Sequence, residues 1–352
     1  MIRVLVAEDS DTTRQWLVTL LREDPDIEVV GEAKDGLEAV ELTLKLQPNI
    51  VAMDIVMPEM DGFEATKRIM SVIPTPIVIV SNIANVREIQ VSLQTLKVGA
   101  LAVLKKPGGP GDPDNEKDSS IFVSTIKIMS KVKLIRHWPK PSKDTIAPVP
   151  RVFSKKFPEG KNGRVIVIAA STGGPAALNR IFSELPGNFS TPILVVQHIP
   201  DGFLQGCATW MNSNSSLRIK IAEEGETPEP GSVYLAGDGA HLGVSPQATL
   251  VYSSGGPIKG SRPSGSFLFE SAAKVYGSST LAVVLTGMGS DGAAGLKAVK
   301  EAGGWIMAQD KETSAFFEMP EEAVKTGYVN LVLPLTEIGA LLMQITSPEE
   351  AV

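Results

Sequence analysis

The chain has 352 residues, 43% of them hydrophobic and 21% charged, a composition typical of a globular protein with room for two domains. Its net charge of -7 and its pI near 5.2 argue against nucleic acid or an anionic membrane as the main partner, because both repel an acidic surface. The single cysteine, Cys207, cannot form an internal disulfide and no apolar run is long enough to span a membrane, so we expect a cytoplasmic protein without membrane insertion.

Short apolar runs alternate with helical patterns over residues 1–107. The runs are continuous rather than alternating in polarity, which is typical of strands covered on both faces of a parallel sheet. They fall at 4–7, 29–30, 50–53, 77–80 and 102–104. The pattern predicts a doubly wound α/β domain, in which functional groups collect at the carboxyl ends of the strands.

Polar side chains stand where these predicted strands end. They are Glu8 and Asp9 after the first strand, Asp54 after the third, Ser81 after the fourth and Lys106 after the fifth. Converging carboxylates repel one another unless a cation lies between them, and oxygen ligands alone favour Mg²⁺. A lysine and a hydroxyl opposite them would suit the outer oxygens of a phosphoryl group on Asp54.

Residues 1–107 resemble the receiver domain of two-component response regulators. The resemblance rests on Glu8-Asp9, Asp54 with Met57-Pro58-Glu59-Met60-Asp61-Gly62, Ser81 and Lys106-Pro107. It implies that Asp54 accepts a phosphoryl group from a histidine kinase. It also implies that Glu8, Asp9 and Asp54 hold Mg²⁺, while Ser81 and Lys106 sense the phosphoryl group.

The end of this unit departs from the receiver pattern at Val103, where many receivers carry an aromatic switch residue. A rotating aromatic ring is therefore not expected to transmit the signal. Helical spacing over 121–135 is consistent with the last receiver helix, and from 138 to 162 prolines and lysines replace most apolar residues, which predicts a connector. We place a receiver domain at 1–137, a linker at 138–162 and a second domain at 163–352.

The second domain opens with a buried strand that runs into a glycine-rich turn. Apolar residues at 165–169 predict the strand, Ser171 follows it, and Gly173-Gly174-Pro175 turns the chain into a helix. A serine hydroxyl on such a turn lies near the unpaired N–H groups of the helix start, which suits a nucleophile facing an oxyanion. A turn that merely joins two elements or binds phosphate fits these residues equally well on their own.

Two further strands of the second domain end in residues that could serve this serine. The strand at 193–196 runs into Gln197-His198, and the strand at 281–285 runs into a loop that contains Asp291. Ser171, His198 and Asp291 therefore share one rim of the predicted sheet, and these residue types together activate a serine hydroxyl. His198 would accept its proton and Asp291 would orient the imidazole. Backbone N–H groups after Ser171 and around Met288 would face the oxyanion.

Other residues compete for these roles. His241, expected in a turn after a hairpin, and His137, at the edge of the linker, are rival bases. Ser290 is a rival nucleophile and Asp238 is a rival orienting carboxylate.

Dinucleotide binding is a separate alternative for the second domain. Gly287, Gly289 and Gly292 have G-x-G-x-x-G spacing after a strand, and Asp310 follows the next strand. Against this alternative, Asp291 within the loop would place a negative charge beside the pyrophosphate.

Residues 164–346 resemble the catalytic domain of the chemotaxis protein-glutamate methylesterases, in which a receiver and a linker precede this domain. The matching segments are Ala170-Ser171-Thr172-Gly173-Gly174-Pro175, Gln197-His198-Ile199-Pro200, Arg262-Pro263-Ser264 and Thr286-Gly287-Met288-Gly289-Ser290-Asp291-Gly292. The chain departs from the family at Gly265-Ser266, where Val-Asp is more usual, so the helix expected to start at Phe267 and any substrate contact there are less well defined.

This second resemblance implies hydrolysis of γ-glutamyl methyl esters on the cytoplasmic helices of methylated chemoreceptors, with release of methanol, and deamidation of receptor glutamines. Ser171, His198 and Asp291 fall on the family's catalytic positions, and we assign Thr172 and Met288 to binding of the oxyanion or the substrate.

We expect that the catalytic domain needs no cofactor and that the protein is a monomer. We also expect the unphosphorylated receiver to mask the site. The expected fold is two doubly wound parallel-sheet α/β domains, flavodoxin-like and Rossmann-like, the second with a β-hairpin insertion that includes residues 233–236 and 250–252. A phosphorylation-gated binding module without turnover is the alternative function.

Overall fold

The computed structural model describes residues 1–82, 86–109, 111–113, 115–132, 158 and 160–346. The chain divides into two compact units, Met1–Lys140 and Pro141–Val352. The predicted linker at 138–162 lies almost entirely outside the described residues, as does His137, so the domain boundaries stay predictions. Within the described ranges, no helix combines the length and the apolar character that crossing a bilayer requires.

The first unit is built on a five-stranded parallel sheet with the strand order β2-β1-β3-β4-β5. Helices α1 and α5 contact each other, while α2, α3 and α4 contact one another in succession, as expected for a doubly wound domain. The elements are β1 Ile2–Ala7, α1 Asp11–Arg22, β2 Ile27–Ala33, α2 Gly36–Leu46, β3 Ile50–Met53, α3 Gly62–Val72, β4 Ile77–Ser81, α4 Val86–Val98, β5 Ala102–Lys105 and α5 Asn115–Met129.

Short-range sequence signals fix the helix starts of this unit. Ser10, Asp35 and Asp61 each precede a helix, and each side chain accepts a hydrogen bond from a backbone N–H of the first turn. Gly62 begins α3 directly against the backbone of Asp54, where a Cβ would overlap the carbonyl oxygen of Asp54. The glycine therefore allows α3 to start beside the predicted phosphoacceptor.

The second unit contains a seven-stranded parallel sheet with the strand order β14-β13-β12-β6-β7-β9-β8 and a separate antiparallel pair, β10-β11. Its elements are β6 Val165–Ala170, α6 Gly174–Glu184, β7 Ile193–Gln197, α7 Leu204–Asn212, β8 Arg218–Ile221, β9 Ser232–Leu235, β10 His241–Val244, β11 Leu250–Ser253, α8 Gly265–Tyr276, β12 Thr280–Val284, α9 Leu296–Glu301, β13 Trp305–Gln309, α10 Glu318–Lys325, β14 Leu331–Leu333 and α11 Leu335–Thr346. Both predicted parallel sheets are therefore confirmed.

Two strands of the second unit differ from the expectation. Residues 233–236 were expected in a hairpin, whereas β9 lies in the parallel sheet between β7 and β8, and all four of its residues are buried. The edge strand β8 was not predicted, because charged Arg218 and Lys220 alternate with isoleucines and interrupt any continuous apolar run. The hairpin itself consists of β10 and β11.

The strands that lead to the predicted catalytic residues lie side by side at the centre of the seven-stranded sheet. β6 pairs with β12 on one side and with β7 on the other. Their buried residues, among them Ala169 and Val284, form one apolar cluster with Leu268 and Phe269 of α8. This core fixes the carboxyl ends of three adjacent strands and the start of α8 relative to one another.

Candidate active site

Ser171 follows β6 at the turn into α6. Its backbone N–H donates to the carbonyl of Thr286 at 3.0 Å, and its own carbonyl accepts from the N–H of Gly174 at 2.8 Å. Gly173 precedes α6 with φ +79°, a backbone conformation that residues with a Cβ rarely adopt. Within the described residues the half-buried Ser171 hydroxyl has no hydrogen-bond partner, so it is free to approach a substrate.

His198 follows β7 and contacts Asp291, which lies in the loop after β12. The distance from His198 Nε2 to Asp291 Oδ2 is 3.0 Å, and Nε2 is also 3.2 Å from the carbonyl oxygen of Pro263. Both neighbours of Nε2 can only accept, so Nε2 carries the proton and donates it. In the neutral imidazole, Nδ1 is then the unprotonated nitrogen that can serve as the base.

Asp291 is held by several donors besides His198. Ser264 Oγ donates to Oδ1 at 2.7 Å, and the backbone N–H of Gly265 donates to Oδ2 at 2.6 Å. The N–H groups of Ser266 and Gly292 also reach Oδ1, at 3.2 and 2.9 Å. Burial acts to raise the pKa of Asp291, but the hydrogen bonds and charge of these neighbours outweigh burial and lower the pKa to about 2.

The unusual pair Gly265-Ser266 forms the start of α8 and supports this carboxylate. A Cβ on Gly265 would lie 2.6 Å from the Cβ of Ala169, so glycine permits α8 to begin directly over β6. Ser266 Oγ accepts from the N–H of Gly292 at 3.0 Å. The sequence pattern predicts a helix start at Phe267, two residues later than observed, so these contacts were not expected. The partly polar Ser-Gly-Ser run before a helix is the signal that could have indicated them.

The loop after β12 lies against the turn that carries Ser171. Thr286 Oγ1 donates to the carbonyl of Thr172 at 2.9 Å and accepts from the N–H of Phe316 at 2.8 Å. In the part of the chain that the structure describes, the backbone N–H groups of Thr172 and Met288 have no hydrogen-bond partner. One unpaired donor thus lies on the Ser171 turn itself, and the other lies in the loop after β12, whose Gly287 packs against Ser171.

The rival residues lie elsewhere or have other contacts. His241 was expected in a turn, but it is buried at the start of β10 and its Nε2 is 3.0 Å from the carbonyl oxygen of Gly256. Asp238 Oδ2 accepts from the N–H of Gly202 at 3.3 Å, and Ser290 accepts through its backbone carbonyl from Ala293.

The G-x-G-x-x-G segment does not have the surroundings of a dinucleotide site. A Cβ on Gly287 would lie 2.7 Å from Ser171 Cβ, so this glycine packs against the turn that carries Ser171. A 3₁₀ turn at Ala293–Gly295 and the short helix α9 follow the loop, instead of a long helix that starts at the third glycine. Asp310 Oδ1 accepts from the N–H and hydroxyl of Thr313, within its own turn.

The first unit assembles its predicted residues at the corresponding rim. Lys106 Nζ lies 2.7 Å from Glu8 Oε2 and 2.9 Å from Asp54 Oδ2, and all three side chains are buried. Ligand oxygens of Glu8, Asp9 and Asp54 lie within 4.8 Å of one another, a grouping that could hold a metal ion. Burial raises the pKa of Asp54 and of Glu8, and for Glu8 the charge of Asp54 adds to this effect. Ser81 ends β4 as a buried residue, and its Oγ donates to the carbonyl of Asn82 at 3.3 Å.

Comparison with known proteins gives matches to both units. The CheB methylesterase family matches residues 166–342, and the response regulator receiver domain family matches residues 4–112. A solved structure, the CheB methylesterase catalytic domain of Thermotoga maritima, is 42% identical with a TM-score of 0.51, and the match covers 52% of this chain and 98% of that chain.

Curated relatives match along nearly the whole chain. The "Protein-glutamate methylesterase/protein-glutamine glutaminase 4" of Myxococcus xanthus is 48% identical over 341 residues, which are 97% of this chain and 96% of the relative. A protein of the same printed name from Nitrosospira multiformis, without the number, is 42% identical over 99% of this chain and 98% of its own length. The chain therefore belongs to the protein-glutamate methylesterase/protein-glutamine glutaminase family, with a response-regulator receiver domain followed by a methylesterase domain.

Proposed function

We propose that the second unit hydrolyses glutamyl methyl esters on the cytoplasmic helices of methylated chemoreceptors, and deamidates receptor glutamines, with Ser171 as the nucleophile. The observation that carries this proposal is the 3.0 Å contact between His198 Nε2 and Asp291 Oδ2 beside the Ser171 turn. Serine, histidine and aspartate act as a unit whatever their order along the chain.

The first half of the reaction forms an acyl-enzyme. His198 Nδ1 accepts the proton of the Ser171 hydroxyl while Oγ attacks the ester carbonyl, and Asp291 stabilises the imidazolium that forms. The N–H groups of Thr172 and Met288 receive the oxyanion. When the carbon–oxygen bond of the ester breaks, the imidazolium returns its proton to the departing methoxy oxygen and methanol leaves.

Water completes the cycle. His198 removes one proton from a water molecule, whose oxygen attacks the acyl carbonyl, and the Ser171 alkoxide recovers that proton as the bond from Oγ to the acyl carbon breaks. The glutamic acid that leaves gives the second proton of the water to the solvent and becomes the carboxylate. A glutamine substrate follows the same course with ammonia as the leaving group. Each residue has the same role in both reactions.

Replacement of Ser171 by Ala tests the assignment. The variant removes Oγ alone, so methanol release from methylated receptor should be abolished while the thermal midpoint Tm stays near the wild-type value. Ser183→Ala is the matched control, because Ser183 is exposed on α6, the helix that follows the nucleophile. Appreciable turnover by Ser171→Ala would refute the assignment and would favour a binding module without turnover.

The receiver unit is proposed to control this chemistry. Asp54 would accept a phosphoryl group from a histidine kinase, with Glu8, Asp9 and Asp54 as Mg²⁺ ligands. The charge of the ion would offset the repulsion among these carboxylates and the incoming phosphoryl oxygens. Three clustered carboxylates, of which Glu8 and Asp54 are buried, fit an oxygen-preferring divalent cation, and Lys106 is close enough to pair with the product phosphoaspartate. Ser81 would contact the same group.

Control by the receiver is proposed to act through access to the substrate. The unphosphorylated receiver would cover the rim that carries Ser171, and phosphorylation would shift the population toward an uncovered form. Deletion of residues 1–140 should then raise the basal rate of methanol release from receptor. An unchanged or lower rate would show that masking is the wrong mechanism. The protein is proposed to act as a cytoplasmic monomer.

A further inference from the structure

Gln197, the last residue of β7, connects the backbones of the nucleophile and the base. Its Nε2 donates to the carbonyl oxygen of Ser171 at 2.9 Å and to the carbonyl oxygen of His198 at 2.7 Å. The residue is 3% exposed, and in the sheet it pairs with Ala170, which directly precedes Ser171. One primary amide thus spans the two strand ends that carry the reacting groups.

Chemistry fixes the orientation of this amide. Both of its partners are carbonyl oxygens, which only accept, so the NH₂ end must face them. Oε1 then points the other way, is buried, and has no hydrogen-bond partner within the described residues. It lies so close to Gly174 that a Cβ on that residue would overlap it.

A buried amide oxygen without a partner is unfavourable, and an apolar side chain of the same length would avoid it. Packing alone therefore does not account for a glutamine at this position. The two donated hydrogen bonds are what a glutamine provides here and methionine does not. They end on the two residues whose spacing determines whether a proton can pass from Oγ to the imidazole.

Backbone hydrogen bonds also stabilise the ends of β6 and β7 near this amide. The N–H of His198 donates to the carbonyl of Ala170 at 2.9 Å, and the N–H of Gly174 donates to the carbonyl of Ser171 at 2.8 Å. The first of these bonds already joins the end of β7 to the end of β6, and the second closes the turn after Ser171. The amide of Gln197 adds direct links to the carbonyls of Ser171 and His198.

A second buried glutamine also ends a strand, and both the oxygen and the nitrogen of its amide form hydrogen bonds. Gln309 ends β13, its Oε1 accepts from the N–H of Thr286 at 2.9 Å, and its Nε2 donates to the carbonyl of Thr313 at 2.7 Å. It fastens the loop after β12 to the loop after β13. Gln197 differs because it leaves one end unpaired and directs both donors to Ser171 and His198.

We propose that Gln197 is a positioning residue that sets the spacing between the Ser171 hydroxyl and the His198 imidazole. The proposal rests on the function assigned above to Ser171 and His198. Loss of the amide removes the direct link between the carbonyls of Ser171 and His198, so these two residues should shift relative to one another, and a misplacement of about 1 Å between reacting groups lowers a rate roughly 100-fold. Substrate binding should be affected much less, because Gln197 is buried and does not reach the surface.

The test is Gln197→Met in the full-length protein, with Gln247→Met as the control, since Gln247 is exposed in the turn between β10 and β11. We expect kcat for methanol release to fall about 10- to 100-fold while KM stays nearly constant. Labelling of Ser171 by a serine-directed fluorophosphonate should slow in parallel. Unchanged kcat and labelling in a folded Gln197→Met protein would overturn the proposal.

A second variant covers the case in which Gln197→Met does not fold. Gln197→Glu keeps the shape of the side chain but turns the donors into a carboxylate that faces two carbonyl oxygens. The rate relative to wild type should be low at neutral pH and should recover toward acidic pH, where the protonated carboxyl group donates again. A constant ratio across the pH range would contradict the proposal.

The imidazole signals of His198 separate this proposal from the proposed function. In ¹⁵N-labelled protein that also carries Ser171→Ala, the ring nitrogen shifts report the geometry of His198 without any turnover. Gln197→Met should move these signals and Gln247→Met should not. Wild-type protein that releases no methanol would refute the proposed function, whereas unmoved His198 signals would refute the role of Gln197.

Discussion

Gly287 offers a direct test of how closely the loop after β12 is packed against Ser171. A Cβ added to Gly287 would lie 2.7 Å from Ser171 Cβ and 3.1 Å from Ser171 N, and it would overlap the sulfur of Met319. Carbon atoms in contact are roughly 3.5 to 4.0 Å apart, so the methyl group of Gly287→Ala must displace Ser171 by about 1 Å. The thioether of Met319 is flexible and can move aside.

The backbone around Gly287 cannot retreat to make room. Its N–H donates to the carbonyl of Phe316 at 3.0 Å, and its carbonyl accepts from the N–H of Met319 at 3.0 Å. The displacement therefore falls on Ser171, and we expect kcat for methanol release to drop about 100-fold. Overpacking should also lower the free energy of unfolding by about 1 to 3 kcal/mol.

The assay for Gly287→Ala is methanol release at saturating methylated receptor, together with urea unfolding of the same preparation. Gly256→Ala is the control, because a Cβ at Gly256 would have no atom within 4 Å and its φ is in the ordinary range. A folded Gly287→Ala enzyme with kcat close to the wild-type value would refute the close packing on which this reasoning depends.

Three further predictions concern charged residues near the carboxyl ends of the strands in the two units. Because the pKa of Asp291 is lowered to about 2, its carboxylate contributes stability that is complete above the pKa of an unfolded aspartate and is lost as the pH falls toward 2. Acid titration of wild type followed by circular dichroism should therefore show about 2 kcal/mol more loss of stability between roughly pH 4 and 2 than Asp291→Asn shows, and equal losses would contradict the lowered pKa. Asp54→Ala should keep the basal rate of methanol release but lose the activation that a small phosphodonor with Mg²⁺ produces in wild type; persistent activation would rule out Asp54 as the phosphoacceptor. Lys106→Met leaves the buried carboxylates of Glu8 and Asp54 without their cation, so the free energy of unfolding should fall by about 3 to 5 kcal/mol and Mg²⁺ should raise the Tm of the variant more than that of wild type. A Tm that does not respond to Mg²⁺ would argue against a metal at this cluster.

Continuous apolar runs were enough to predict both parallel sheets. A strand such as β6 is buried along its whole length, and that pattern survives in the sequence without knowledge of its neighbours. The edge strand β8 could not be recognised in the same way, because one of its faces meets solvent and its polarity alternates. The partner of β9 also depends on long-range pairing, which apolar patterning does not encode.

The sequence predicted the site residues that directly follow strand ends. It did not predict the side-chain hydrogen bonds that connect different helices, strands and loops. His198 and Asp291 were expected to meet because parallel strands end at one rim, and they lie 3.0 Å apart. The support of Asp291 by Ser264 and the bridge formed by Gln197 depend on side-chain rotamers and on where α8 begins. Spacing along the chain does not specify either of these.

The central position of β6, β7 and β12 has a consequence for how the enzyme would fail under stress. The outermost strands, β14 and β8, each have a single neighbour, so they can fray while the middle of the sheet keeps its pairing. Amide hydrogens of the outer strands should exchange with deuterium long before those of the inner three. Brief heating or limited digestion that damages the borders of the sheet should leave the reacting groups in place, and inactivation should coincide with cooperative melting of the interior.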